Sequence, residues 1–285
     1  MMRPGSVISA VADVLAGVTI AGRFESGLDK NLLNILLLCV ATKLLYAGGI
    51  VYNDVFDAGF DAVVHPRRPI PSGAIKLSQA KPFGFILLLA GIALAGIGSN
   101  AGGFIAIGIT FFALLYNKWG KNNAILGPLN LGICRGLNLI LGMSIVPFEL
   151  QQWYLLALVP VIYIYAVTLI SRGGVHGGHT QNLNIGALLY TAVIGAILYQ
   201  ANINGELNMT VLFLIPFGLL ILIPLSGAMQ HATAANVAKA AKSGMLALIL
   251  MDAAWAITFD SLLAALIIAA LLPISIWLAK LFPVA

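Results

Sequence analysis

Apolar stretches of about 20 residues, the length that carries an α-helix through the hydrocarbon core of a bilayer, recur along the whole of this 285-residue chain. Ten can be read, at 7–22, 32–53, 83–98, 101–117, 125–147, 153–171, 184–203, 210–227, 243–258 and 261–281. The last two are separated only by Phe259-Asp260, which predicts a tight hairpin or one broken element. The chain is 60% hydrophobic and 9% charged, whereas soluble domains carry roughly 25% charged residues. Water cannot solvate that much apolar surface, because a soluble fold needs polar cover. The expected fold is an all-α membrane protein, a single domain over 1–285 with nine to ten transmembrane helices around a central cavity.

The net charge of +5 does not indicate nucleic acid. The basic residues sit in short loops between apolar stretches, where they set topology. With the N-terminus in the cytoplasm, Arg3, Arg67, Arg68, Lys76, Lys81, Lys118, Lys121, Arg172, Lys239, Lys242 and Lys280 fall on the cytoplasmic side, against Arg23 and Lys30 on the other. The expected location is therefore multi-pass in a bacterial inner or plasma membrane, with no cleavable signal peptide. Cys39 and Cys134 lie inside apolar segments and read as small core residues rather than a disulfide. The alternating Ala and Lys of 228–242 predicts an interfacial amphipathic helix.

The second span ends in Asn53-Asp54-Val55-Phe56-Asp57-Ala58-Gly59-Phe60-Asp61. If the helix continues beyond the membrane, Asp54, Asp57 and Asp61 fall within about 60° of one another. Three carboxylates on one face repel unless a cation sits among them. Oxygen-only donors suit Mg2+, which is shared between one or two carboxylates, waters and substrate phosphates. Pro66-Arg67-Arg68-Pro69-Ile70-Pro71-Ser72-Gly73 follows. It places two guanidinium groups, which match phosphate geometry, close behind the carboxylates. The combination is suited to holding a diphosphate.

Four charged residues, Asp13, Lys43, Arg135 and Asp252, lie inside apolar spans. Such groups are expensive in a membrane and face partners in the bundle interior. Lys43 returns to within about 20° of the face of Asp54, about 16 Å deeper at 1.5 Å per residue. On the fifth span Asn130, Arg135 and Asn138 share one side. Asp13 or Asp252 is expected to pair with Lys43 or Arg135 beside the cavity, and the polar stripe is a candidate substrate-binding surface.

Asn-Asp-x-x-Asp-x-x-x-Asp followed by Arg-Pro-Ile-Pro-Ser-Gly resembles the first aspartate-rich motif of the UbiA superfamily of intramembrane prenyltransferases. Arg3-Pro4, Tyr116-Asn117-Lys118-Trp119-Gly120-Lys121, Gly127 and Arg135-Gly136 are similar to other parts of that family's pattern. Within it the chain looks most like the EboC-type branch, through Ala12–Gly17, Leu126–Asn138 and Ser171–Gly178. The resemblance implies a UbiA-type bundle and a membrane transferase. Asp54, Asp57 and Asp61 would bind Mg2+ as cofactor, with Asn53, Arg67 and Arg68 binding an isoprenyl diphosphate and Lys121 reaching it from the end of the fourth helix. The prenyl group, an alkyl or aryl group other than methyl, would pass to an acceptor. Membrane lipid and other proteins of a secondary-metabolite gene cluster are the further partners that the branch implies.

The family's second aspartate-rich motif is missing. The corresponding loop reads Ser171-Arg172-Gly173-Gly174-Val175-His176-Gly177-Gly178-His179-Thr180, without a carboxylate. Arg172 could replace the second metal as a fixed charge. His176 could serve as a base, with an ordinary pKa of about 6.5, or His176 and His179 could bind a transition metal. The alternatives to prenyl transfer are transfer of a phospho-sugar or cyclitol group, and a non-catalytic or transport-related component that binds a lipid or metabolite.

Overall fold

The computed structural model describes residues 4–24, 28–172 and 180–281, and every regular element in them is helical. They are α1 (Pro4–Ile20), α2 (Leu28–Val64), α3 (Leu77–Gly98), α4 (Gly102–Lys118), α5 (Leu126–Met143), the short α6 (Pro147–Trp153), α7 (Leu158–Arg172), α8 (Thr180–Asn204), α9 (Leu207–Gln230), α10 (Ala234–Thr258) and α11 (Leu262–Leu281). The ten expected spans map one to one onto the helices other than α6. Seven helical stretches are long and apolar enough to cross a membrane, α6 and α7 counting as one, and α1 and α4 are shorter apolar helices.

Two helices form the centre. From Ser9 to Ile20 every side chain of α1 is buried, and so is the second half of α10 from Ala247 to Thr258, including Trp255. α1 touches α2, α5, α10 and α11. It meets α5 backbone to backbone: a Cβ on Gly17 would lie 2.2 Å from the Leu139 carbonyl oxygen, and one on Gly142 would lie 2.1 Å from that of Val14. Only glycine permits this approach, and small-residue contacts of this kind replace hydrophobic driving force between helices in lipid. The outer helices turn large apolar side chains such as Leu33, Phe104, Ile97 and Leu188 outward. An exposed apolar surface of this extent requires a lipid surround.

One expectation about boundaries is corrected. Residues 234–242 form the first turns of α10, capped by the Thr233 hydroxyl accepting from the Asn236 N–H at 3.2 Å, rather than a separate interfacial helix. Phe259-Asp260 makes the tight turn between two complete helices, one of the two expected forms, with Asp260 at φ 59°. Cys39 and Cys134 are free.

The packing of α3 against α2 positions the site. Gly84, Gly91 and Gly98 recur every seven residues along α3 and receive Tyr52, Leu45 and Leu38, which descend by seven along antiparallel α2. This registers α2 from Leu38 to Tyr52. The extension of α2 past the spans is held by a second small core of Val51, Val55 and Ala80 with Tyr52, Ile70, Ile75 and Leu87 packed around it.

Candidate functional site

α2 runs unbroken through the acidic motif to Val64, as the sequence expectation required. It stops one residue before His65-Pro66, where the proline ring disfavours helical backbone in the residue ahead of it. The chain then folds back in tight turns: the Arg68 N–H donates to the His65 carbonyl at 3.0 Å, Ser72 N–H to Arg68 at 2.9 Å and Ile75 N–H to Pro69 at 3.0 Å, with Gly73 at φ 76°. That return brings Arg68 to Asp61. One guanidinium nitrogen, Nη1, donates to both carboxylate oxygens, at 2.8 and 2.7 Å. Asp61 is only 2% exposed. Arg67, by contrast, is exposed.

Asp57 reaches the other way and forms an ion pair with Lys121 on the turn after α4. One turn deeper, Asn53 donates through Nδ2 to Asn117 Oδ1 at 3.2 Å, and Asn117 Nδ2 donates to the Gly49 carbonyl at 2.8 Å. α2 and α4 are thus joined by hydrogen bonds just inside the charged layer. The sequence does not single out Asn117 as the partner of Asn53. Its sole signal was an amide at the end of an apolar span.

The carboxylates of the acidic motif take different partners. Asp54, Asp57 and Asp61 share a helix face, yet Asp57 pairs with Lys121 and Asp61 is fully engaged by Arg68. Like charges at three- and four-residue spacing repel, and two of the three take different cations from different loops. Among the described residues no three His, Cys, Asp or Glu side chains gather to hold a metal ion unaided. The donor set still fits Mg2+. Asn53, Asp54 and Asp57 are half-buried oxygen donors, and Mg2+ takes one or two carboxylates and completes its shell with water and phosphate.

A cavity of about 340 Å³ leads inward from Asn53 and Asn117, between α2, α4 and α5, with α1, α7 and α10 contributing. Tyr46, Tyr116, Ile109 and Leu131 are among its walls, and Thr42, Arg135 and Asn138 lie at its inner part. Arg135 donates to Asp13 Oδ2 and to the Ser9 hydroxyl, both at 2.7 Å. Asn138 donates to the same carboxylate oxygen at 3.0 Å and accepts from the Thr42 hydroxyl at 2.6 Å. The expected pairing of an intramembrane acid with Arg135 is present as Asp13–Arg135. Asp252 is buried beside Asp13, and the two acid side chains share a hydrogen bond.

Two members of the expected polar stripe lie elsewhere. Lys43 is exposed and does not line the cavity. Leu36 and Val40, on the same stripe, are exposed at 52% and 42%, whereas Ala47 one turn on is 4% exposed. The neighbours of α2 change along its length, so one helix face crosses from lipid to interior. Asn130 is buried outside the cavity lining, and the absence of a side chain on Gly120 leaves it room: a Cβ there would lie 2.6 Å from Asn130 Nδ2.

Arg172 Nη1 donates to the Asn123 carbonyl at 2.7 Å and its Nη2 to the Lys121 carbonyl at 2.9 Å. It grips the backbone of the turn that carries Lys121. His176 and His179 lie outside the described residues.

The sequence profile of the UbiA prenyltransferase family matches residues 11–176, more than half of the chain. The chain is 32% identical over 170 residues to the digeranylgeranylglyceryl phosphate synthase of Sulfurisphaera tokodaii, a stretch covering 59% of each. It thus spans about three-fifths of the length of that curated relative. The relatives found are synthases of this kind rather than members of the EboC-type branch expected from the sequence. Among solved structures, the apo form of a UbiA homolog from Aeropyrum pernix K1 superposes with TM-score 0.71 at 16% identity, covering 89% of this chain and 98% of that one. A UbiA homolog from Archaeoglobus fulgidus bound to DMAPP and Mg2+ gives TM-score 0.53 at 12% identity, covering 98% of each chain. Both share the helical fold.

Proposed function

Because the chain belongs to the UbiA prenyltransferase family, we propose that it is a Mg2+-dependent membrane prenyltransferase whose donor diphosphate sits among Asp54, Asp57, Lys121 and Arg68 and whose prenyl tail enters the cavity below Asn53. The observation that carries this reading is the Lys121–Asp57 pair. It brings a cation from one helix connection onto the acidic face of α2, one turn from residues that line a largely apolar cavity. Anion-binding and hydrocarbon-binding surfaces are thereby adjacent, in the order that a prenyl diphosphate presents them. The Archaeoglobus homolog, which binds DMAPP and Mg2+, supports the donor class. The Lys and Arg bias among the connections supports a cytoplasmic site.

In the reaction the C1–O bond of the donor breaks and its electron pair leaves with the diphosphate. The acceptor's lone pair then bonds to C1 and the acceptor's proton is released. Bound Mg2+ supplies Lewis-acid stabilisation of the leaving oxygens. Lys121 places its ammonium where negative charge grows, and preorganised charge of this kind is usually the largest catalytic contribution. Arg68 adds guanidinium donors, held by Asp61. The faces of Tyr46 and Tyr116 in the cavity wall are suited to a developing allylic cation, since aromatic faces attract positive charge. The apolar wall keeps water from capturing it.

The test is mass spectrometry of lipids after membranes containing the protein receive isotopically labelled geranyl or geranylgeranyl diphosphate with Mg2+. Labelled prenyl product is expected from the unmodified protein and absent with Asp54→Ala or Asp57→Ala. Intact diphosphate in every reaction, with every donor length, would overturn the reading.

A further inference from the structure

The carboxylate inventory at the site is small. The described connections at this end of the bundle, 65–76, 119–125 and 231–233, contain no Asp or Glu, and the sequence 173–179 contains none either. Asp13 and Asp252 are buried in the middle of the bundle, and Asp29 lies in the first turn of α2 at the opposite end. Glu149, Glu206 and Asp260 belong to connections at that same opposite end, and Glu25 lies outside the described residues. Among the described residues only Asp54, Asp57 and Asp61 remain, and both oxygens of Asp61 accept from Arg68. Two carboxylates suffice for one Mg2+ completed by phosphate and water. They leave none for a second ion, yet the charge of a leaving diphosphate still has to be balanced.

The cation that could balance it stands on a short turn, residues 120–122. A Lys ammonium is a mobile point charge on a flexible stem, so its usefulness depends on how firmly its backbone is held. Three features hold it. Arg172 donates to the carbonyls of Lys121 and Asn123 at 2.9 and 2.7 Å. The Asn123 side chain accepts from the Ile125 and Leu126 N–H groups, both at 2.9 Å, and so fastens the turn to the start of α5. Gly127 makes the space: a Cβ there would lie 2.5 Å from Arg172 Nη2. The guanidinium therefore lies in a slot shaped by α5 and ties the end of α7 to the turn after α4.

We propose that the site takes a single Mg2+, and that Arg172 is a positioning residue that fixes Lys121 as the permanent second positive charge of the diphosphate pocket. This deepens the function proposed above and rests on it. Arg172 acts through the backbone of its neighbours and not by touching substrate, which separates it from a direct phosphate contact.

Three readouts test this on the full-length protein in nanodiscs. Mn2+ titration followed by electron paramagnetic resonance, with geranyl diphosphate present, should saturate at one ion per chain; two ions per chain would overturn the single-metal site. Hydrogen–deuterium exchange across 119–126 should accelerate in Arg172→Ala and less in Arg172→Lys, which retains one donor group; unchanged exchange in Arg172→Ala would overturn the positioning role, whatever the donor affinity. Geranyl diphosphate affinity should fall roughly tenfold in Arg172→Ala, the scale of one hydrogen-bonded charge lost, and should fall no further when Arg172→Ala is added to Lys121→Ala. An additional loss in the Lys121→Ala background would make Arg172 a direct contact and sink the proposal. If the unmodified protein binds no prenyl diphosphate, the function itself fails and the proposal with it. A protein that binds donor with two metals, or with an indifferent Arg172, defeats the proposal alone.

Discussion

Lys121, on the turn after α4, forms an ion pair with Asp57 on α2 across a gap of 64 residues in sequence, with both side chains about a fifth exposed. The pair closes the charged layer over the cavity and sets the first prediction. Removing the ammonium by Lys121→Ala should weaken prenyl diphosphate binding by about ten- to a hundredfold, since charge-assisted hydrogen bonds to anionic oxygens contribute about 1.5–3 kcal/mol. Calorimetric titration with Mg2+ present checks it. Equal affinity in the variant would remove Lys121 from the site.

Metal removal should act on the same binding. With excess chelator the donor affinity should fall, and Mg2+ should restore it, because two carboxylates facing a diphosphate repel it without a cation between them. Affinity that ignores the chelator would exclude a metal-bridged mode.

The Arg68–Asp61 pair predicts an asymmetric loss of stability. Arg68→Ala leaves Asp61, 2% exposed, without its counter-charge, at a cost of about 3 kcal/mol. Asp61→Asn leaves a neutral acceptor and should cost less. Thermal unfolding in detergent compares them. If Asp61→Asn proves as damaging as Arg68→Ala, charge is not what the pair contributes.

The intramembrane cluster gives a different pattern. Arg135→Met strands the Asp13 carboxylate in the bundle and should cost about 3–5 kcal/mol. Adding Asp13→Leu should recover part of that loss, because contacting pairs are not additive. A double variant as unstable as the sum of the singles would refute the coupling.

Overpacking tests the α1–α5 crossing. A methyl group on Gly142 would lie 2.1 Å from the Val14 carbonyl oxygen, so Gly142→Ala should destabilise by about 2–3 kcal/mol as the helices are forced apart. Gly195→Ala, where the added carbon meets nothing within 4 Å, serves as the comparison and should be near neutral in the same unfolding measurement.

The amino-acid sequence by itself determined the membrane fold, the ten apolar helices, the helical acidic face of Asp54, Asp57 and Asp61, and the pairing of a buried acid with Arg135. Each rests on something local: the hydropathy of 20 consecutive residues, the 3.6-residue period, or the high cost of an unpaired charge in lipid. Tertiary structure alone decided which cation each carboxylate takes, that Lys43 faces outward while Asn53 faces the cavity, and that Arg172 grips the Lys121 backbone. Those outcomes depend on close approaches between segments distant in sequence. Gly127 beside Arg172, Gly120 beside Asn130 and the seven-residue glycine ladder of α3 on α2 set those approaches to within tenths of an ångström. Helical periodicity assigns a residue to a face, but the neighbours along a helix change from turn to turn, and only packing fixes what that face meets.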